Sequence, residues 1–280
     1  MSTVCIIGAG DVGGAVADAL ARRECVARVL LVDTAGNAAA GKALDIQQSG
    51  AIKRFHVRLD GTDDVSRVAG CAVCVVADRF GSSEWQGEEG LAMLLRLATY
   101  LGDAPVIFAG AVQRELLRLA AREGHLKREQ LIGSAPEAHA SAVRAVVAME
   151  ARCSPSEVSL AVLGAPPDGF VVPWSEASIG GYSLERVLSQ VQLARIEARA
   201  ARLWPPGPFA LGLAGARVAE AVIAHARRTL SVLMVLGNEI GVRGGVGALP
   251  ATVSPTGIAS VRVPTLNTRE RVRLETVLGA

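Results

Sequence analysis

Val4-Cys5-Ile6-Ile7-Gly8-Ala9-Gly10-Asp11-Val12-Gly13-Gly14 opens the chain, and its reading decides the fold. Four apolar residues in a row read as a strand buried on both faces. They run straight into G-x-G-x-x-G, which in turn leads into the helix-like Ala15-Val16-Ala17-Asp18-Ala19-Leu20-Ala21. A glycine fingerprint between a strand and a helix has a mechanism. Gly8 permits the tight turn, Gly10 lets the backbone approach a pyrophosphate, and Gly13 lets helix and strand pack closely. The helix N-terminus offers unpaired N–H groups and the positive end of its dipole to phosphate oxygens. A second apolar run ends in Leu30-Leu31-Val32-Asp33, twenty residues after Gly13. A carboxylate there accepts hydrogen bonds from an adenosine ribose and repels a 2′-phosphate, which favours NAD over NADP.

Outward from this stretch, strand-like runs at 71–77, 106–109 and 130–133 alternate with amphipathic segments at 12–23 and 91–101. That rhythm predicts a doubly wound parallel sheet with right-handed crossovers. Beyond Gly133 the texture changes. Helical stretches are expected at 140–151, 183–202, 214–228 and 267–278, and strands at 157–164, 230–236 and 260–263. Trp204-Pro205-Pro206-Gly207-Pro208 reads as a breaker between two of these helices. The expected division is a dinucleotide-binding domain over 1–136 and an α+β domain over 137–280.

Composition narrows the function classes. Of 280 residues, half are hydrophobic and a fifth charged, with mean hydropathy +0.35, so the chain can bury a large core. The formal net charge is +2, and the basic residues are scattered, which gives no cationic face for nucleic acid. No apolar run approaches the roughly 18 residues of a membrane span, and the N-terminus lacks a signal-peptide pattern. The expectation is a cytoplasmic protein that touches neither nucleic acid nor membrane. Cys5, Cys25, Cys71, Cys74 and Cys153 lack framework spacing. Cys71-Ala72-Val73-Cys74 sits in an apolar run and reads as core, with no second pair to complete a zinc site.

Several segments in order carry a family resemblance: residues 8–14, Val32-Asp33, Gly41-Lys42-Ala43-Leu44-Asp45-Ile46, Gly61-Thr62 and Leu131-Ile132-Gly133. In the second half come Ala148-Met149-Glu150, Val171-Val172-Pro173-Trp174-Ser175, Ala177-Ser178-Ile179-Gly180-Gly181 and Pro255-Thr256-Gly257-Ile258. On these the chain resembles the lactate/malate dehydrogenases over essentially its whole length. The resemblance implies a Rossmann domain followed by the family's α+β C-terminal domain, and NAD as cofactor. It implies a cofactor-binding set of Gly8, Gly10, Asp11, Val12, Gly13, Asp33 and Ala77. It also implies a homodimer or tetramer, assembled through helices such as those around 44–52 and 214–228.

The family's chemistry requires a histidine that exchanges a proton, an aspartate that orients it, and arginines that hold a substrate carboxylate. The segment matching the family's G-x-H-G-D is Gly164-Ala165-Pro166-Pro167-Asp168, so the histidine position is Pro166. Proline cannot exchange a proton, and losing a positioned acid/base costs about 10²–10⁴ in rate. The orienting aspartate falls at His139 and the carboxylate-binding arginine at Ala142, with Arg144 some 200° around a helix from the old site. The mobile loop reads Asp78-Arg79-Phe80-Gly81-Ser82-Ser83-Glu84-Trp85-Gln86-Gly87-Glu88-Glu89, with its arginine out of step and three acids added. The N-P-V-D segment has become Gly110-Ala111-Val112-Gln113.

These departures point to an NAD-binding protein unable to carry out 2-hydroxy acid hydride transfer. One alternative is an NAD-dependent oxidoreductase acting on a substrate other than a 2-oxo acid. Another is an interaction protein that no longer binds dinucleotide. His139 and Asp168 remain as substrate-site remnants. They could form an inverted pair, with the imidazole as base and the carboxylate as orienter, although capping and surface roles are the commoner fate of such residues. No metal site is expected.

Overall fold

The computed structural model describes residues 2–279. The apolar runs pair in parallel as the alternation predicts. The first half comprises β1 (Thr3–Ile7), α1 (Asp11–Arg23), β2 (Arg28–Val32), α2 (Gly36–Gln48), the short α3 (Gly50–Lys53), β3 (Arg58–Thr62), β4 (Val73–Val76), α4 (Gly87–Leu101), β5 (Val106–Phe108), α5 (Arg114–Glu123) and β6 (Leu131–Gly133). The long α6 (Ala135–Ala151) leads into β7 (Val158–Ser159), β8 (Leu163–Ala165), β9 (Gly169–Val171), β10 (Ser178–Ile179) and β11 (Tyr182–Ser183). The chain closes with α7 (Leu184–Val187), α8 (Gln190–Ala200), α9 (Pro208–Ile223), β12 (Leu230–Gly237), β13 (Arg243–Ser254), β14 (Gly257–Val261) and α10 (Thr268–Leu278).

One sheet runs through the molecule in the order β3-β2-β1-β4-β5-β6-β12-β13-β8-β9, with β14 added on β13. The six strands from β3 to β6 are parallel, and the pairings beyond β6 are antiparallel. Both faces of the parallel part are buried. Val4 and Ile6 pack into one core layer, while Cys5 and Ile7 pack into the other. This is the period-2 alternation of a strand covered on both sides. The expected boundary at 136/137 falls inside the first turn of α6, and the sheet crosses it through the pairing of Gly133 with Leu233.

The second half departs from several sequence expectations. The expected strand at 157–164 is two strands in different sheets, because β7 joins the small β11-β10-β7 sheet and β8 joins the large one. Between them the Val162 N–H donates to the Ser231 hydroxyl at 3.0 Å, which fixes the switch. The expected helix at 183–202 is broken at Ser189. Its hydroxyl and the Gln192 side chain form a reciprocal capping box that starts α8 afresh. α9 begins at Pro208, inside the tract read as a breaker, since proline is well suited to the first helical turn. The expected strand at 260–263 lies earlier, as β14. The twelve-residue β13 had no sequence counterpart, because Gly244, Gly245, Gly247 and Pro250 mask its alternation.

Candidate functional site

At the carboxyl ends of β1, β2 and β4 the structure brings together Gly8, Gly10, Asp11, Val12, Gly13, Asp33 and Ala77. Gly8 has φ +113°, and a Cβ there would lie 2.2 Å from the Asp78 carbonyl oxygen, so only glycine fits this turn. A Cβ on Gly13 would lie 2.1 Å from the Gly8 carbonyl oxygen, with the Ala77 methyl 3.5 Å away. Asp11 and Val12 form the first turn of α1, the positive end of a 13-residue helix.

The cradle's donors are engaged within the chain. Asp78 follows β4 and Ala77, and its Oδ2 accepts the Asp11 N–H at 2.8 Å while Oδ1 accepts the Gly13 N–H at 3.0 Å. Its own carbonyl accepts the Gly10 N–H at 3.0 Å. A Cβ built on Gly10 would lie 2.3 Å from the Asp78 carboxylate, so that group covers the open face of the glycine. The sequence reading missed this residue. Its one signal was an acid at the end of a parallel strand beside the glycine turn.

Asp33 is buried, and both its oxygens are engaged. Oδ2 accepts the N–H of Ala9 at 2.8 Å and of Phe80 at 2.9 Å, and Oδ1 accepts the N–H of Ala35 at 2.9 Å. Burial alone would raise this carboxyl, but the three backbone donors outweigh it and hold it below the ordinary range. Lys42 Nζ donates to the Gly10 carbonyl at 2.7 Å and lies 6.0 Å from the Phe80 ring centroid.

The loop after β4 is ordered by its acids. Glu84 accepts the N–H of Ala111 at 2.8 Å and of Val112 at 3.0 Å, bracing the turn before α5. Burial raises the Glu84 carboxyl despite those two bonds, and nearby Asp78 adds to the rise. Gln113 accepts the Gly110 N–H at 2.9 Å and donates to the Ala77 carbonyl at 3.2 Å. Arg79 pairs with Glu89 and stacks at 4.8 Å on Trp85, which is a core residue.

The two remnants do not meet. His139 is fully buried on α6, its ring 4.3 Å from Phe170 in an edge-on contact and 5.7 Å from Trp204. Neither ring nitrogen makes a well-formed hydrogen bond. Burial pushes the imidazole down to about 4, offset only in part by a weak interaction with the Leu203 backbone. Asp168 is exposed and pairs with Arg114, whose Nε also donates to the Val246 carbonyl at 2.9 Å. The inverted His139–Asp168 pair is therefore not formed. Arg144 turns to Glu137 at 3.1 Å and to the Leu160 carbonyl at 3.2 Å, away from His139's aromatic neighbours. Cys5, Cys71 and Cys74 are buried in the core. Among the described residues no His, Cys, Asp or Glu cluster has the arrangement of a metal site.

Residues 2–90 match the family model described as lactate/malate dehydrogenase, NAD binding domain. The malate dehydrogenase of Cytophaga hutchinsonii is 28% identical over 98% of this chain and 93% of that protein. That of Thioalkalivibrio sulfidiphilus is 25% identical over 100% of this chain and 97% of that protein. Residues 2–90 thus carry the NAD-binding-domain signature of the lactate/malate dehydrogenases, and the likeness to malate dehydrogenases extends along the whole chain. The fold agrees. The Salinibacter ruber malate dehydrogenase structure superposes with a TM-score of 0.89 at 22% identity, covering 99% of this chain and 94% of that one. A lactate dehydrogenase from Cryptosporidium parvum, solved with lactic acid and NAD, gives 0.88 at 22% identity over 99% and 95%. The N-terminal part is thus an NAD-binding domain of the lactate/malate dehydrogenase type, and its glycine geometry fits a dinucleotide. No helix among the described residues is long and apolar enough to cross a membrane.

Proposed function

We propose that this chain is an NAD-binding member of the lactate/malate dehydrogenase family that does not transfer hydride between NAD and 2-hydroxy acids. Residues up to about 136 hold the dinucleotide through Gly8, Gly10, Asp11, Val12, Gly13, Asp33 and Ala77, and the remainder supplies the former substrate side. One observation supports the reading: neither His139 nor Asp168, the candidate pair at the former substrate side, is placed to exchange a proton with a substrate. Pro166 stands at the histidine position. The nearby titratable residue, His139, is buried against Phe170 and Trp204 and is neutral at pH 7. Asp168 is committed to Arg114 on the surface. Hydride delivery to a carbonyl leaves an alkoxide-like oxygen that needs a proton and an electrostatic partner, and Ala142 provides neither.

The test is turnover. Purified protein with NADH and oxaloacetate or pyruvate, and with NAD and malate or lactate, is expected to show no rate above background at pH 6–9. Robust turnover of any of the four acids would overturn the reading. Turnover confined to uncharged alcohols or carbonyls would instead favour a diverged oxidoreductase. The two unpaired nitrogens of His139 are the feature that supports that second reading.

A further inference from the structure

The geometry points to Asp78 as an internal occupant of the dinucleotide phosphate cradle, whose carboxylate sets how tightly this chain takes NAD(H). The inference rests on residues 2–90 being an NAD-binding domain. It concerns what that domain has added to itself.

The first turn of α1 is an anion site by construction, with free N–H groups at the positive end of a helix. The anion it holds is the chain's own. Asp78 takes the Asp11 and Gly13 N–H groups at 2.8 and 3.0 Å with separate oxygens. Its carboxylate lies 2.3 Å from where a Cβ on Gly10 would stand. That is the space a pyrophosphate must enter to approach the backbone at Gly10. A phosphate arriving there meets both a steric obstacle and a like charge.

The same three-residue segment reaches the other end of an adenosine diphosphate. Two residues on, the Phe80 N–H donates to Asp33 Oδ2, which already holds Ala9. A ribose approaching Asp33 must compete with Phe80, just as a phosphate must compete with Asp78. Lys42 leans across the gap, bonded to the Gly10 carbonyl and facing the Phe80 ring. Residues 78–80 therefore close the phosphate and ribose positions together. Just beyond, Gly81 has φ +65° with open space where a Cβ would stand, so the backbone can turn there and let residues 78–80 move while Glu84 and Trp85 stay anchored. Displacing the segment costs its backbone bonds, and that cost is subtracted from dinucleotide affinity.

The experiment compares wild type with Asp78→Gly and Asp78→Asn, measuring NADH, ADP-ribose and adenosine binding by calorimetry, with circular dichroism and melting temperature confirming the fold. Asp78→Gly is expected to bind NADH and ADP-ribose at least tenfold more tightly than wild type. Adenosine affinity should change less than threefold, because adenosine has no phosphate to place in the cradle. Asp78→Asn keeps the shape and removes the charge, and is expected to gain at least threefold for the phosphate-bearing ligands. It carries the test alone if the glycine variant does not fold. Gains below these thresholds overturn the proposal, as does undetectable binding by every variant, or an equal gain for adenosine. Turnover of malate by the wild type would refute the catalytic reading above and leave these binding differences to be judged on their own.

Discussion

The backbone N–H of Phe80 donates to Asp33 Oδ2 at 2.9 Å, so the loop after β4 is tied to the end of β2 by the acid that the proposed function assigns to a ribose. Asp33 thereby acquires a structural role. It joins the glycine turn through Ala9, its own following turn through Ala35, and the loop through Phe80.

Asp33→Ala is consequently expected to destabilise the protein by about 3 kcal/mol, since buried donors left unpaired cost roughly 1–3 kcal/mol each. Chemical denaturation should show a lower midpoint with an unchanged slope. A loss below about 1 kcal/mol would mean that water or neighbouring groups satisfy those donors. Because the carboxyl is held below its ordinary value, the stability it supplies is present above about pH 4 and is lost as pH falls through its folded-state pKa.

His139 adds a pH dependence of the same sign from a different cause, the burial of its ring. Its folded pKa is about 4, against an ordinary value near 6.5, so the unfolded chain binds the proton more readily. The stability it confers is complete above about pH 6.5 and falls as pH drops towards 4, by up to about 3 kcal/mol. His139→Leu keeps an apolar side chain in the pocket and removes the titration. The difference between wild-type and variant stability across pH 4–7 should trace this curve. A flat difference would mean that water reaches the imidazole.

Glu137 is buried and serves three partners. It receives Arg144 at 3.1 Å and the Ser231 N–H at 3.0 Å, with Arg217 at 3.6 Å. Glu137→Ala leaves the Arg144 guanidinium in a half-buried site without its counter-charge, which costs about 3–5 kcal/mol. Glu137→Gln keeps the Ser231 bond and should lose roughly half as much. The Arg114–Asp168 pair is more exposed, and Asp168→Ala should change stability by less than about 1 kcal/mol. Equal effects at the two acids would contradict this ranking.

Assembly is tested by light scattering. Leu44 and Ile52 on α2 and α3, and Phe209 and Leu213 on α9, are exposed apolar side chains, and a homodimer or tetramer would cover them. A mass of two or four times 29.0 kDa is expected at micromolar concentration. A monomer mass would leave these side chains without the proposed partner.

The parallel half was legible because its signals are local. Apolar runs such as Val4-Cys5-Ile6-Ile7 need only their own residues to declare a doubly buried strand, and Gly8, Gly10 and Gly13 fix the turn by close contact. The second half was read less well where neighbours distant in sequence decide. The chain changes sheets between β7 and β8, where Ser231, 69 positions later, takes the Val162 N–H. Ser189 starts a helix inside what periodicity alone made continuous. At the site, the glycine cradle was visible but its occupant was not, since Asp78 finds its donors 67 and 65 residues upstream, on backbone atoms that carry no side-chain signature. The separation of His139 from Asp168 depended likewise on Phe170, Trp204 and Arg114, which no spacing rule connects.

The aromatic enclosure of His139 has an evolutionary consequence. An aspartate at position 139 would put a full charge against Phe170 and Trp204, with Ala142 one turn away instead of a cation. Such a variant would be unstable before it could become useful, and a histidine at position 166 or an arginine at 142 alone would have no catalytic partner to act with. On the proposed reading, the path from this pocket to a proton-relay site runs through a valley that single steps cannot cross, as in a ratchet that turns one way.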